Sequence, residues 1–519
     1  MVVMIWFFLF LLTLARVVFA ATGHFSGQEA YLMLCAERLD WGFVDGPAGI
    51  AALIRSTPPV LNFAGYSLLG VRFLSPCFLF LCSYFLWLLL KKLQGREVAL
   101  WSILAFNLLP LTNAAALLMD GVMVRVTFWL GTLAWAWLLM VESREDFLAW
   151  SIFGLLLALG TQVSYAIGWL LPALLLLMML RRQKVPHWPL SVTLLLLALG
   201  WAGPLYWNAT HDWLQWATIT WGSFWSYQLP PWHLELNGAW FWLLLSLPLI
   251  FGGSVASVFA FFKKKEKDLL SFLALLIVPL LFFLGGIGHD HPSFDLQLLL
   301  MALLLPFLVD FFMKTEKRKK SGLLLLLCMA IFSLMTVCYF LNDDEESDST
   351  YSLSSPRGVE GVQRGAVELL RLRALLASSS TNSSAEQSLP PSFPFIIAQC
   401  PQLAALLGVI LPIHYPELQG APSVFTPESP SFSSQFQLWP HYADATLQST
   451  PDPLYTQEPR RSPFLGHDAL YITRELEGDL PETITGAFAS VLPISEVSFK
   501  SGKGRFIIYK CTNYQMMSL

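Results

Sequence analysis

A small set of acidic, imidazole and guanidinium side chains lies in the stretches that separate the long apolar runs of this chain. Three of the acids are Glu29, Asp45 and Asp120. A carboxylate can deprotonate a hydroxyl group and so make an alcohol a nucleophile. Imidazole and guanidinium groups can hold a phosphate as it leaves. These residue types suit group transfer at a water–lipid boundary, and further members of the set are Arg55, Arg72, His211, Asp212, His289 and His291.

Each of these residues also has an ordinary structural interpretation. Glu29 and Asp45 can be solvated or helix-capping acids, and Asp120 can end a helix. The run His289-Asp290-His291 resembles a metal-binding pair, although a turn between two spans is the commoner explanation of such a run. Taken singly, none of these residues identifies a function.

The elements that must position these residues are membrane helices. Of 519 residues, 55% are hydrophobic and 13% charged, and the mean hydropathy is +0.56. A soluble protein of this size needs a more polar surface. Runs of roughly 17–25 apolar residues, each able to cross about 30 Å of hydrocarbon, predict eleven spans. They lie at 3–20, 73–90, 98–118, 123–141, 147–163, 166–180, 190–207, 238–262, 269–288, 294–313 and 321–341.

Basic residues predict the orientation of these spans. Lys and Arg are concentrated in alternate loops at 91–96, 181–184, 263–267 and 314–320, while the loops between them carry few. Because positive loops stay in the cytoplasm, the pattern predicts a cytoplasmic N-terminus. The first apolar run is long and lacks a basic n-region, so it is expected to be retained as a helix rather than cleaved as a signal peptide. The C-terminus then lies outside, in the periplasm of a bacterial inner-membrane protein. The basic clusters are short and next to the spans, which indicates topology rather than nucleic-acid binding.

The composition divides the chain into three parts. Residues 1–341 form the predicted membrane module, whose long first outer loop at 21–71 is expected to carry interfacial helices. A polar, acidic and Ser-rich segment at 342–390 is predicted to be a linker. Residues 391–519 contain strand-like runs at 393–398, 469–473 and 505–509 and a helical run near 402–411, which predict a small external α/β domain. Cys400 and Cys511 lie in this domain and could pair.

Several short motifs occur in the order found in one family of membrane enzymes. Residues 29–31 (Glu-Ala-Tyr) resemble that family's Asp-Glu-Ala-Tyr-Tyr, and 41–47 its Gly-Tyr-Tyr-Asp-His-Pro-Pro. Asp120 lies where the family has Thr-Pro-Asp, and 207–213 is very close to Trp-Asn-Ala-x-His-Asp-Trp. His291-Pro292 lies where His-Trp-Pro-Ala-Pro is common. The chain thus resembles the dolichyl-phosphate-mannose protein mannosyltransferase superfamily (glycosyltransferase family 39-like), which includes the bacterial aminoarabinose transferase of lipid A.

This resemblance implies a fold and a reaction. The fold is the GT-C type, an all-α polytopic bundle of about eleven transmembrane helices with a small external C-terminal α/β domain. The reaction is transfer of a sugar from a polyprenyl-phosphate donor to a hydroxyl of a glycolipid such as lipid A, or of a protein. Some relatives use a divalent cation, and the sequence leaves that open here. The implied catalytic residues are Glu29, Asp45 and Asp120, and the implied substrate-binding residues are Tyr31, Arg55, Arg72, Trp207, His211, Asp212, His289 and His291.

The chain departs from the family at three positions. Gln28 replaces the first acid of the Asp-Glu pair, Gly46-Pro47-Ala48 replaces His-Pro-Pro, and Ser164 stands where a Lys is common. Glu29, Asp45 and Asp120 are then the acids that remain. The departures leave a second hypothesis open, in which a non-catalytic protein of the same fold binds or moves a polyprenyl lipid.

Overall fold

The computed structural model divides the chain into two compact units. The first comprises Met1–Gly23 and Ala36–Asp344, and the second comprises His24–Cys35 and Glu345–Leu519. Part of the predicted first outer loop therefore belongs to the same unit as the C-terminal residues. The residues that the structure describes are 2–22, 24–57, 68–141, 146–215, 292–313, 316–341, 356–383, 393–428, 434–444, 462–474, 480–498 and 505–515.

The described part of the first unit contains helices and one short hairpin. Its helices are rich in Leu, Phe, Trp and Ala, and their large aliphatic and aromatic side chains face both the interior and the outside, as lipid contact requires. The hairpin pairs β1 (Gly42–Phe43) with β2 (Gly46–Pro47). The helices are α1 (Val2–Ala20), α3 (Gly49–Arg55), α4 (Leu68–Arg72), α5 (Leu74–Leu93), α6 (Arg96–Leu108), α7 (Pro110–Leu117), α8 (Val122–Val141), α9 (Phe147–Thr161), α10 (Leu170–Leu180), α11 (His187–Thr210), α12 (Pro292–Met313) and α13 (Glu316–Leu341), with α2 (Gly27–Glu37) lying across the boundary of the two units.

Many of these helices coincide with predicted spans. Within the described ranges, four helices are long and apolar enough to cross a membrane: α1, the joined α4–α5, α8 and α11. The helix at 147–161 is shorter than the predicted span 147–163, whereas the helical segment at 165–180 matches the predicted span 166–180. Helices α12 and α13 overlap the last two predicted spans, whereas the predicted spans 238–262 and 269–288 lie outside the described residues. The total of eleven remains a prediction.

The predicted span 98–118 is broken in the structure. Helices α6 and α7 meet at an angle of 62°. Leu109 between them is extended, with ψ at 132°, and Pro110 begins α7. Proline lacks the N–H that a continuous helix needs and disfavours helical backbone in the residue before it. A span that the apolar pattern predicts as one helix is therefore two.

The second unit contains a four-stranded mixed sheet. Its strands are β3 (Phe395–Ala398), β4 (Ala469–Arg474), β5 (Phe488–Ser498) and β6 (Arg505–Tyr514), in the order β3-β4-β6-β5. Strands β3 and β4 are parallel, and the other pairs are antiparallel. Phe395 packs edge-on or tilted against aromatic rings of the loops, among them Phe425, Tyr442 and Phe464. The three predicted strand runs match β3, β4 and β6, and the predicted helical run matches α15 (Pro401–Ile410).

The predicted linker differs from the structure. Residues 342–390 include α14 (Pro356–Ser383), a helix of 28 residues. Val362, Ala366 and Leu369 recur at helical spacing and are buried, so one face of α14 has a place in the core of the second unit. A short helix α16 (Glu482–Thr485) precedes β5. Cys400 and Cys511 are both free thiols, and burial raises the pKa of Cys511 to about 12.

Candidate functional site

The hairpin of the first unit presents Asp45 at its tip. Gly42 pairs with Pro47 and Phe43 with Gly46, so Val44 and Asp45 form the two-residue turn. Phe43 and Val44 are buried while Asp45 is exposed. The apolar residues of the motif thus anchor the turn, and its acid faces outward.

Three contacts fix the hairpin against the end of α11. A methyl group on Gly42 would lie 3.1 Å from Cγ of Trp207, so glycine permits this close approach. The indole Nε1 of Trp207 donates to Asp40 Oδ2 at 3.1 Å. Gln215 Nε2 donates to the carbonyl of Phe43 at 2.9 Å. These contacts join segments 41–47 and 207–215 at one place in the first unit. The two segments are about 160 residues apart in the chain.

The helix after the hairpin packs against the segment that carries Asp120. The amide of Gly49 donates to Gln162 O at 2.8 Å, which ties the start of α3 to the end of α9. A methyl group on Gly121 would overlap Cδ1 of Ile50, a buried residue of α3. Gly121 has φ of +87°, a backbone conformation that glycine adopts readily. The Asp45 and Asp120 motifs are therefore neighbours through α3.

Asp120 begins α8. Its Oδ1 accepts from the amide of Val122 at 3.0 Å, so the carboxylate caps the helix N-terminus, where negative charge is favourable. It is half-buried. Arg125, one turn further along α8, has an Nη1 atom 2.7 Å from where a Gly121 Cβ would lie. A guanidinium inside an apolar helix is a functional candidate, and this one lies beside Gly121, the residue that follows Asp120.

The 207–213 segment closes α11 with an irregular turn. Trp207 is buried, and the ring of His211 stacks on it with centroids 4.2 Å apart. His211 Nδ1 lies 2.9 Å from the carbonyl of Trp207. Asp212 and Trp213 both have positive φ, 52° and 57°, and the Trp213 amide donates to Asn208 O. The turn leaves Asp212 exposed. The contact between His211 Nδ1 and the carbonyl of Trp207 fixes the orientation of the His211 ring.

Two predicted phosphate-binding arginines contact backbone carbonyls. Arg55 Nη1 donates to Ala36 O at 3.3 Å and to Glu37 O at 3.4 Å, at the C-terminal end of α2. Arg72 is buried, and its Nη1 donates to Thr22 O at 3.2 Å. Cations favour the C-terminal ends of helices, so both residues have a structural contribution as well as their predicted one.

Glu29 and Tyr31 belong to the second unit. Gln28 is exposed, whereas Glu29 is buried. Glu29 Oε2 accepts from the Ser26 amide at 2.9 Å, and the Glu29 amide donates to Ser26 Oγ at 3.2 Å. These reciprocal bonds form a capping box at the start of α2.

Tyr31 also makes its contacts within the second unit. Its hydroxyl accepts from the amide of Gln435 at 3.0 Å, and its ring stacks on Phe436. Trp439 contributes a second, tilted ring contact to Tyr31. The family's acidic motif therefore lies on a helix whose buried face packs against the C-terminal segment.

Two predicted site residues remain, and both are histidines. His289 and His291 lie outside the described residues. Within the described ranges, no three His, Cys, Asp or Glu side chains come together as a metal-binding group.

Residues that the sequence analysis did not single out also line this region. Asp40, Gln215 and Arg125 were each visible as polar side chains at the end of, or within, an apolar segment. Arg125 and Arg16 lie inside predicted spans, where a count of the basic residues between spans does not include them. An ionisable residue within a span is itself the signal that identifies such positions.

Comparisons with known proteins agree with the motifs. Residues 47–207 match the family model described as Dolichyl-phosphate-mannose-protein mannosyltransferase. The crystal structure of ArnT from Cupriavidus metallidurans in the apo state matches with a TM-score of 0.53 at 13% identity, covering 98% of this chain and 97% of that chain. The same protein bound to undecaprenyl phosphate matches with a TM-score of 0.50 at 14% identity, covering 96% and 97%. A comparison with curated protein sequences finds no match.

These matches bear on family and fold. The family match confirms the resemblance to the mannosyltransferase superfamily. At 13–14% identity the structural matches show that this chain shares the fold of ArnT.

Proposed function

We propose that this chain is a glycosyltransferase that moves a sugar from a polyprenyl-phosphate donor to an acceptor hydroxyl. The observation that carries the proposal is the convergence of three motif segments in the first unit. Gly42 and Asp40 join the hairpin of Asp45 to the Trp207 segment. Ile50, in the helix after the hairpin, packs against Gly121 and so joins the hairpin to the Asp120 segment. The Asp120 segment falls within residues 47–207, which match the family model, and this match begins at the last residue of the hairpin and ends at Trp207. The crystallised complex of ArnT with undecaprenyl phosphate supports a polyprenyl-phosphate partner.

The proposed chemistry is a single displacement at the anomeric carbon. A carboxylate accepts the proton of the acceptor hydroxyl, the oxygen forms the new glycosidic bond, and the bond to the lipid phosphate breaks. The anomeric configuration is inverted, and the phosphate leaves with the bonding electrons. Glu29 is the proposed base, while Asp45 and Asp120 are the other candidate acids. Guanidinium and imidazole groups stabilise the phosphate charge, with Arg55, Arg72, His289 and His291 as the candidates.

The proposed location is the external face of a bacterial inner membrane. The alternation of basic loops supports a cytoplasmic N-terminus and a periplasmic C-terminal domain. Candidate acceptors are a glycolipid such as lipid A and a protein, since both present hydroxyl groups at that surface. Tyr31, Trp207, His211 and Asp212 are the remaining candidates for substrate contact.

A second candidate function is binding or movement of a polyprenyl lipid without catalysis. Gln28 favours it, because an amide cannot accept a proton at the position where the family has its first acid. The capping role of the buried Glu29 favours it as well.

Turnover of a radiolabelled polyprenyl-phosphate sugar separates the two candidates. Membranes that carry the protein are incubated with labelled donor and an extract of bacterial glycolipids and envelope proteins. The enzyme moves label from the lipid phosphate to an acceptor, and Asp120→Asn lowers the rate while the exposed-surface variant Glu482→Gln does not. Saturable donor binding without any transfer would instead support the non-catalytic function.

A further inference from the structure

A buried arginine lies in the first membrane helix. Arg16 is one turn from the C-terminal end of α1 and is only 3% exposed. The rest of α1 is apolar apart from Thr13, and many of its large side chains are exposed to the surroundings. A guanidinium in such a helix has a high desolvation cost, so its position needs a reason.

The guanidinium of Arg16 is directed at the break between α6 and α7. Its Nε donates to Asn113 Oδ1 at 2.8 Å, its Nη1 to Asn107 Oδ1 at 3.0 Å, and its Nη2 to Asn107 O at 2.7 Å. All three acceptors are neutral amide oxygens. Asn107 and Asn113 are buried and stand on opposite sides of Pro110.

These bonds replace backbone bonds that the break removes. In a continuous helix the carbonyl of Asn107 would accept from the amide four residues later. Here it accepts from Arg16 and from Asn113 Nδ2 at 2.9 Å. A backbone carbonyl in the hydrocarbon layer must be satisfied within the protein. Arg16 therefore supplies the donor that makes this 62° bend tolerable inside a membrane.

The side chains of the break are fixed from other helices too. Asn107 Nδ2 donates to Ser83 Oγ of α5 at 2.7 Å, and Ser75 Oγ donates to Ala115 O of α7 at 3.0 Å. Arg16 is the only charged group among these contacts of the described residues. The network joins α1, α5, α6 and α7.

Helix α7 leads directly to a proposed site residue. All eight of its residues are buried, and the chain continues through Leu118 and the buried Met119 to Asp120. The direction of α7 therefore determines where Asp120 lies. We propose that Arg16 is a positioning residue. Its three hydrogen bonds, called the clamp below, fix the angle between α6 and α7, and α7 in turn places Asp120 in the site. This inference rests on the proposed function for its catalytic consequence, and on the hydrogen bonds alone for the clamp.

The clamp is tested without reference to activity by hydrogen–deuterium exchange on the full-length protein in lipid nanodiscs. Arg16→Met removes all three bonds, and Arg16→Lys keeps the charge but cannot reach three acceptors. Both are expected to speed amide exchange in residues 107–121 by about tenfold or more, the factor expected from losing a charge-assisted hydrogen bond. Exchange in α8 should be unchanged. Thr13→Val, which removes only a bond within α1, is the matched control.

A role limited to global stability would raise exchange in α5 and α8 as much as in 107–121, and that result would overturn the clamp. Unchanged exchange in 107–121 would overturn it too. If the arginine variants fold poorly, Asn113→Ala keeps the arginine but removes one of its acceptors and the Nδ2 donor to Asn107 O, and it should also speed exchange in 107–121.

The consequence for Asp120 is tested by turnover of a polyprenyl-phosphate sugar. Arg16→Lys should lower the rate by about 100-fold, the scale of a misplacement of about 1 Å, while donor affinity is kept. In an Asp120→Asn background it should cause no further loss. A further loss there, or a normal rate despite faster exchange, would overturn the positioning role. If Asp120→Asn is itself fully active, the proposed function of Asp120 fails, and the local exchange result still decides the clamp.

Discussion

The indole Nε1 of Trp207 donates a hydrogen bond to Asp40 Oδ2 at 3.1 Å, joining residues that are 167 positions apart. Trp207 is buried while Asp40 is at the surface. Since the hairpin that presents Asp45 begins two residues after Asp40, this bond holds the hairpin to the end of α11. It gives the Trp207 motif a structural function beside its proposed contact with substrate.

A double-mutant cycle measures this bond. Trp207→Phe removes the N–H and Asp40→Ala removes the acceptor, and each should lower the thermal stability of the purified protein. The coupling between them should be about 1 kcal/mol, the usual net value of a partly exposed hydrogen bond. Trp188→Phe in the same helix is the control, because Trp188 is 72% exposed and should change little. Additive effects of the two substitutions would contradict the assignment.

Gly121 is predicted to be irreplaceable even by alanine. A Cβ there would overlap Ile50, and the φ of +87° is strained for any other residue. Gly121→Ala should cost about 1–3 kcal/mol of stability. Gly46→Ala is the matched control, because nothing lies within 4 Å of its Cβ position and its φ is not positive. Equal melting temperatures for the two variants would refute the close contact between α3 and the Asp120 segment.

Much of the fold follows from patterns that act locally. Long apolar runs predicted the described spans, since hydrocarbon requires a continuous helix of fixed length. Apolar composition alone does not indicate a bend, so the pattern predicts one continuous span where the structure breaks at Leu109. Pro110 is the residue in the sequence that causes the break. Strand β5 was missed because most of its side chains are exposed and Pro493 interrupts it. Proline is tolerated there because β5 is an edge strand with a register shift at Pro493.

For the site, the sequence predicted which segments carry the site residues but not how helix α2 packs. The order of the motifs predicted which segments carry Asp45, Asp120 and Trp207, and the structure brings these segments together in one unit. Sequence could not predict that α2 would pack mainly within the second unit, because this depends on contacts such as Tyr31 with Gln435 across about 400 residues. Helix α14 was hidden by its acidic and Ser-rich flanks, though its buried face recurs at helical spacing.

The stability of the second unit should depend on pH through Glu428. Burial raises the pKa of this carboxyl above its usual 4.5, and Tyr514 Oη donates to it at 2.6 Å. The folded state then binds the proton more tightly than the unfolded state. Its stabilising contribution is complete below pH 4.5 and is lost as pH rises through the raised pKa. The protection factors of the β6 amides, corrected for the intrinsic pH dependence of exchange, should therefore fall on that rise. Glu428→Gln should abolish this fall, whereas Glu496→Gln should retain it.

His441 should act in the opposite direction. Burial lowers its pKa below 6.5, and its Nε2 lies 2.8 Å from Thr426 O. The folded state binds the proton less tightly, so this contribution is present above pH 6.5 and is lost as pH falls through the lowered pKa. A higher protection factor of the β6 amides (exchange corrected for its intrinsic pH dependence) at pH 5 than at pH 7 in a Glu428→Gln protein would contradict it.

The predicted orientation is tested by reporter fusions. A reporter that is active only in the periplasm should be active after Leu519 and silent after Lys320, because the basic cluster at 314–320 is expected to stay in the cytoplasm. Reversing the charges of that cluster is the control, and it should change the activity of the reporter fused after position 320. Opposite activities of the two fusions would remove the argument for an external active face.

The final prediction concerns the base. Glu29 is the acid that follows Gln28, and in the structure it also closes the capping box with Ser26. Glutamine serves equally well as the third helical residue of a capping box, so Glu29→Gln should keep α2 folded while it removes the proton acceptor. General-base removal typically costs about 10²–10⁴-fold in rate, and donor binding should persist. Gln28→Asp should not reduce turnover. An active Glu29→Gln together with an inactive Asp45→Asn would assign the base to Asp45, and full activity of both variants would exclude this mechanism.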